Sequence, residues 1–387
     1  MTPDNMLVVD SDSHWSEPAD LFSKRAPAGY ADRLPHVEVI DGQTHWVFDG
    51  KPIGIFAAGA VIGKDGKKSD DAMVLHTWTT DDVHPGAYDP VERLKVLDEN
   101  GIDHQVIYPS TIGLGGQGLS SVSDPVLQRL AVEVYNDYMA EVQAESGNRL
   151  LPMPLMPAYS VDECVREAKR VHGLGLRGVN MTSDPQDLGA PDLASREWDP
   201  FWETCADLEL PVHFHIGASL TAMTFYGKYP WESQKPSTKL AIGGTMLFIG
   251  NARVVSNLIL SGVFDRVPTL QTVSVESGLG WIPFILEALD YEMMENAKAD
   301  LAALKKMPSE YFQSNMYATY WFEGERNKLP ELIASVGEDR IMFETDFPHP
   351  TCLYPNPLES VRAKMETLPR DTQAKIYGEN ARKLYKL

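Results

Sequence analysis

The chain has 387 residues, 43% of them hydrophobic and 23% charged, a balance that excludes a disordered chain and allows a sizeable core. Lys plus Arg number 34 against 55 Asp plus Glu, and the formal charge of −21 repels nucleic-acid phosphates and anionic membrane surfaces. Cys164, Cys205 and Cys352 lie far apart, with no CxxC pair and no even disulfide framework, which fits a reducing cytoplasm.

The start, Met1 to Asp10, lacks the basic segment and apolar stretch of a secretory signal, and Leu7-Val-Val-Asp10 reads as a first strand. The segment 23–88 follows no helix–strand rhythm. Its Val37-Glu-Val-Ile, Asp41-Gly42 and His45-Trp-Val-Phe predict a β-hairpin inserted after that strand, either an oligomer contact or a lid. From about residue 90, short β-rich runs alternate with amphipathic helical patterns, the signature of βα units and a mostly parallel sheet.

Strands are expected at 7–10, 104–108, 150–156, 176–181, 210–216, 270–275, 316–321 and 340–345. Helices are expected at Val126–Ala144, Val161–His172 and Glu197–Leu208, and at about 280–304, 327–336, 357–367 and 370–386. Eight strands suit a closed (β/α)8 barrel, here a single domain over 1–387. An open doubly wound sheet would place a Gly-rich phosphate turn after its first strand, where this chain has Asp10-Ser-Asp-Ser-His-Trp-Ser-Glu17. Ile112 to Gly118 is Gly-rich but lacks the Gly-Lys-Ser/Thr ending, so no nucleotide cofactor is expected, and it reads as a mobile loop over the site. The most apolar stretch, Thr245 to Phe264, is interrupted by Asn251, Arg253 and Asn257, so no membrane span is expected.

In such a barrel the active site lies where strands end. Four strand ends carry ionisable groups: Asp12-Ser13-His14, His213-Phe214-His215, Glu276, and Asp346 with His349. Residues two apart in a strand share a face, so Asp12 pairs with His14 and His213 with His215. Imidazole nitrogen and carboxylate oxygen suit Zn2+, Mn2+ or Fe2+, and a catalytic site leaves a position open. Buried without partners, such groups would each cost roughly 1–3 kcal/mol, more when charged, which argues against a core role. One histidine of the 213/215 pair is expected to ligate, and the residues do not say which.

Six segments resemble the amidohydrolase-related family that includes aminocarboxymuconate-semialdehyde decarboxylase: Val9 to Pro18, Glu92 to Asp103, Pro211-Val-His-Phe-His-Ile-Gly217, Val275-Glu-Ser-Gly-Leu-Gly-Trp281, Thr345-Asp-Phe-Pro-His-Pro350 and Gly378-Glu-Asn-Ala-Arg382. The resemblance spans nearly the whole chain and implies a distorted TIM barrel around one divalent metal, zinc first and manganese or iron next. It assigns the metal to Asp12, His14, His215 and Asp346. Many members have His-x-His where this chain has Asp12-x-His14, and a strand-six His where it has Glu276. Glu276 is left as a fifth ligand, an acid or base, or a supporting carboxylate. Members hydrolyse small carboxylated compounds or decarboxylate aromatic and muconate-type acids, and they assemble as dimers or larger homo-oligomers.

For a hydrolase, Asp346 or Glu276 would take the proton of a water activated by the ion; for a decarboxylase, an acid would protonate the ring carbon. A Glu suits accepting a proton better than delivering one to carbon unless burial raises its pKa, so hydrolysis of a C–C or C–N bond is the first expectation and decarboxylation the second. Trp15, Glu17, Trp281 and His349 flank the motifs as candidate substrate contacts, and Arg177 or Arg253 could face a substrate carboxylate or join surface ion pairs. A non-catalytic barrel serving as a binding module is the rival of another class.

Overall fold

The computed structural model describes residues 6–110, 112–227, 231–324 and 328–387. The first five residues of the chain and residue 327, where one helix is expected to begin, lie outside them. Strand β1 (Val9–Asp10) is followed by β2 (His36–Ile40), β3 (Gln43–Phe48) and β4 (Lys51–Ile55), which form an antiparallel sheet. Asp41 and Gly42 both have positive φ, 51° and 81°, as a tight Asp-Gly hairpin turn requires. The sheet has one strand more than the expected hairpin. Pro52 and Gly54 depress the β signal of β4, and both are tolerated because β4 is an edge strand.

The other strands are β5 (His104–Ile107), β6 (Leu150–Pro152), β7 (Val179–Asn180), β8 (Val212–His215), β9 (Thr272–Val275), β10 (Met316–Tyr320) and β11 (Ile341–Phe343). With β1 they fall within the eight expected segments. They form two parallel sheets, β1-β5-β6 and β7-β8-β9-β10-β11. Isolated bridges join the outer strands at both seams, Ser13 with Phe347 and Leu155 with Asn180. Backbone bonds from Ser11 to Phe343 (2.8 Å) and from Asn180 to Pro154 (2.8 Å) support those seams. The eight strands thus follow one another around a TIM-barrel-like circuit whose ladder thins at two places.

Alternation along the strands divides the core in two. Val9, Val106, Tyr108, Leu151, Met153, Val273, Val275, Tyr317 and Met342 cluster within the circuit. Intervening residues such as Val8, Ile107, Leu150, Val212 and Phe214 pack in a separate cluster with residues of the surrounding helices. These helices begin as their sequences dictate. Asp124 caps Pro125–Glu145 and Ser160 caps Val161–Gly173, whose first turn carries Asp162 and Glu163.

Several helices were not anticipated, among them Leu220–Gly227 and Pro308–Asn315, and two others bear on the site and the barrel wall. Pro90–Asn100 was not anticipated, although Asp89 caps it, Pro90 opens it and Gly101 closes it in the left-handed conformation. Pro236–Leu260 runs uninterrupted through Asn251, Arg253 and Asn257. Length and composition alone would let it cross a membrane, correcting the expected interruption. Its buried face, from Gly243 to Ile259, nonetheless packs on the barrel: Asn251 Nδ2 donates to the Phe214 carbonyl and to Ser274 Oγ, both at 3.0 Å.

The C-terminal residues close the foot of the barrel. Gly378 lies so near the Leu7 carbonyl that a Cβ would overlap it, and Asn380 donates to the carbonyls of Glu338 and Ile341, both at 2.8 Å. These contacts account for the Gly378-Glu-Asn-Ala segment in structural terms. Ala381, Leu384 and Tyr385 then fill the interior from below.

Candidate metal centre and active site

Asp12 and His14 follow β1, His215 ends β8, Glu276 follows β9 and Asp346 follows β11, all at one end of the circuit. Glu276 and Asp346 have positive φ, 53° and 60°, an uncommon conformation for residues with a side chain and one that clusters at functional sites. The amide of Glu276 donates to Thr319 Oγ1 at 3.0 Å, which fixes its turn.

The side chains meet closely. His14 Nε2 lies 3.7 Å from Asp12 Oδ1, 3.7 Å from Glu276 Oε2 and 3.5 Å from Asp346 Oδ1. His215 Nε2 lies 3.4 Å from Asp12 Oδ1 and 3.3 Å from Glu276 Oε2. His215 Nδ1 donates to the Ile216 carbonyl at 2.8 Å, which leaves Nε2 to face the carboxylates. Two overlapping sets of donors result, Asp12, His14, His215 and Glu276 in one, and His14, Glu276, Asp346 and His349 in the other.

Both oxygens of Asp12, both ring nitrogens of His14, His215 Nε2 and Asp346 Oδ1 are buried without a hydrogen-bond partner. Burial holds the Asp12 carboxyl well above its ordinary pKa, with Asp346 and Asp10 adding repulsion; it holds Glu276 high as well, with Asp346, Asp12 and Glu344 adding to it. Burial also lowers His215 to about 4 and drives His14 well below its ordinary range. Carboxylates gathered this closely oppose one another's ionisation, and neutral imidazoles beside them are ready donors. A divalent cation answers both conditions, so the residues fit the metal.

The flanking residues divide. His349 belongs with the donors: its Nδ1 is 3.1 Å from Asp346 Oδ1 and its ring stacks on His14 with centroids 3.6 Å apart. His213 does not, for it points into the barrel, where Nδ1 meets Tyr108 Oη and the ring stacks on Tyr385. Trp15 lies fully buried in the outer core, apart from the donor cluster, and its indole N–H donates to Tyr138 Oη at 2.9 Å. Glu17 Oε1 accepts from the Ser110 amide at 2.8 Å and from Tyr135 Oη at 3.3 Å. Trp281 is half-buried at the head of the Ile282–Asn296 helix, its N–H bonded to the Ser277 carbonyl at 2.8 Å. Arg253 pairs with Asp184 at 2.6 Å, and Arg177 donates to the carbonyls of Tyr385 and Lys386 at the foot. The stretch Ala58–Val61 of the 23–88 segment lies against this end of the barrel, with the Val61 amide bonded to the Pro348 carbonyl at 3.0 Å.

Several residues here were not singled out from the sequence. Thr351 Oγ1 donates to Asp346 Oδ2, leaving Oδ1 to the cluster. Asp10 and Glu344, each two positions before a donor in the sequence, are fully buried. Arg93 is a fully buried cation beside the site, carried by the unanticipated helix.

The amidohydrolase family matches residues 40–387. The chain is 27% identical over 306 residues to the gamma-resorcylate decarboxylase of Rhizobium sp. strain MTP-10005, covering 76% of this chain and 86% of that one. Its fold is similar to a crystallised amidohydrolase of Mycobacterium avium subsp. paratuberculosis, with a TM-score of 0.78, 22% identity and coverage of 98% and 99%. It is also similar to the 5-carboxyvanillate decarboxylase of Novosphingobium aromaticivorans, crystallised with manganese and 4-hydroxy-3-methoxy-5-nitrobenzoic acid, with a TM-score of 0.68, 18% identity and coverage of 100% and 98%. The two of these with a named reaction are decarboxylases, so hydrolysis as the first expectation finds no support. The argument from Glu276 fails for a physical reason: burial raises its affinity for a proton, the one condition under which a Glu is no poor donor to carbon.

Proposed function

The chain belongs to the amidohydrolase family, and on that premise we propose that it is a metal-dependent carboxy-lyase removing a carboxyl group from a small hydroxylated aromatic acid. The observation that carries the reading is the set of buried, unpartnered donor atoms at the strand ends of a chain whose named relative is a decarboxylase. Asp12, His14, His215 and Asp346 would hold one divalent ion, with Glu276, which shares both donor sets with His14, and His349 beside it. Zinc, manganese and iron all suit imidazole and carboxylate donors, and the manganese in the 5-carboxyvanillate enzyme brings that ion forward. When bound, the ion supplies Lewis-acid charge that anchors and orients substrate oxygens.

The chain's own residues do the rest. Decarboxylation adds a proton to the ring carbon bearing the carboxylate, breaks the C–C bond, returns its electron pair to the ring and releases CO2. Asp346 and Glu276 are the carboxyl groups placed to hold and deliver that proton. Thr351 keeps Asp346 Oδ2 in a hydrogen bond, and Thr319 holds the Glu276 turn. The buried surroundings exclude bulk water, which strengthens every charge contact made there.

The test is a panel of mono- and dihydroxybenzoates and their methoxylated analogues, offered to manganese- or zinc-loaded protein while CO2 and the phenolic product are both measured. Equal amounts of CO2 and phenol from at least one acid, lost in Asp346→Asn, are expected. A hydrolysis product without CO2, or no CO2 from any acid in the metal-loaded protein, would overturn the proposal.

A further inference from the structure

Behind the donor cluster runs a buried polar chain that touches none of the donor side chains. Arg93, fully buried, donates through Nη2 to the His14 carbonyl at 2.7 Å and through Nη1 to Gln105 Oε1 at 2.7 Å, and its Nε reaches the Gly86 carbonyl. The guanidinium lies between the rings of Trp15 and Phe347, at 5.3 and 4.5 Å from their centroids. Gln105 passes the chain on, its Nε2 donating to Asp10 Oδ2 at 2.7 Å. Asp10 in turn accepts from the Thr345 amide at 2.8 Å, from Thr345 Oγ1 at 2.5 Å and from the Asp12 amide at 3.2 Å.

One path therefore grips the backbone at two of the turns that carry donors, those after β1 and β11. At its ends are the carbonyl of His14, the amide of Asp12 and the residue preceding Asp346. Gln105 is the link: its amide lets a buried cation and a buried anion satisfy each other without contact, and it tethers the Pro90–Asn100 helix to β1 and to the turn after β11. A buried charge pair is weak evidence for stability, because desolvation offsets much of its attraction, so the conformational role is the one to test. Groups that orient metal ligands from behind typically change metal affinity about 10- to 100-fold when removed.

We infer that Gln105, with Arg93 and Asp10 on either side, is a positioning residue that fixes the spacing between the Asp12–His14 turn and the Asp346 turn and thereby sets affinity for the ion. The inference rests on the metal reading above. It predicts that Gln105→Met, close in volume but unable to bond either neighbour, folds yet binds Mn2+ about 10- to 100-fold more weakly in a titration of folded, metal-stripped protein. Thr345→Val, which removes one bond to Asp10, should weaken binding in the same direction, and Thr345→Ser should restore it. A purely structural network would lower the unfolding temperature of the metal-free protein and leave Mn2+ affinity unchanged. Affinity within about 2-fold of wild type in folded Gln105→Met and in Thr345→Val would overturn the inference. Should Gln105→Met not fold, the Thr345 pair decides it. Wild-type protein that binds no Mn2+ would instead remove the metal reading, and the inference with it.

Discussion

At the foot of the barrel Asn315 Nδ2 donates to the carbonyls of Pro268 and Leu270, and Asn380 Nδ2 to those of Glu338 and Ile341, so these buried amides serve the strand starts. At the mouth Asp12, His14, His215 and Asp346 are equally buried, yet atoms of each lack a hydrogen-bond partner. Buried polar groups are ordinarily satisfied, and those that are not call for an explanation. The contrast lies in convergence: at the foot only scattered atoms such as Tyr385 Oη and Arg177 Nε lack a partner, whereas at the mouth the unpartnered atoms gather within reach of one another, as a bound ion requires.

Substitutions at the two ends should therefore fail in opposite ways. The largest effect belongs to the mouth. Asp12→Asn should cost decarboxylation roughly 10^3-fold or more, since loss of the ion removes several kcal/mol of transition-state stabilisation. The same change should leave the metal-free protein as stable as wild type or more so, because it relieves a carboxyl that burial, Asp346 and Asp10 all oppose. Paired rate and thermal-melting measurements check this, and a large loss of metal-free stability would erase the distinction between the ends.

Asn380→Ala gives the converse. It leaves buried carbonyls unpaired at the start of β11 and should lower stability by about 1–3 kcal/mol in denaturant titration, with metal content and rate per folded molecule unchanged. A fall in metal content would show that the foot and mouth are coupled.

The smallest effect is expected at Arg253. Its guanidinium is partly exposed and bound to Asp184, so Arg253→Ala should cost roughly 0.5–1 kcal/mol and leave KM for an aromatic acid unchanged. A marked rise in KM would bring Arg253 back as a substrate contact.

The chain spelled out the eight strands because each is a short β-rich run between helical patterns, and the positions of Asp12, His14, His215, Glu276 and Asp346 at their ends followed from that order. Strand pairing and helix docking were less legible. The Pro236–Leu260 helix was not anticipated, and the polar Asn251 within its apolar run finds a carbonyl and a hydroxyl once the helix is docked. Trp15 neighbours His14 in sequence, but past the strand end successive side chains leave for different layers, and Trp15 packs in the outer core. Gln105 carried no signal at all, since its role exists only where β1, β5 and the turn after β11 come together.

The most direct test of the account is the divalent-metal content of purified protein by elemental analysis, wild type beside His215→Ala, before and after reconstitution with Mn2+ or Zn2+. About one ion per wild-type chain and little in the variant is the predicted result. Equal content in both, or none in either after reconstitution, would contradict the reading of the mouth as a metal centre.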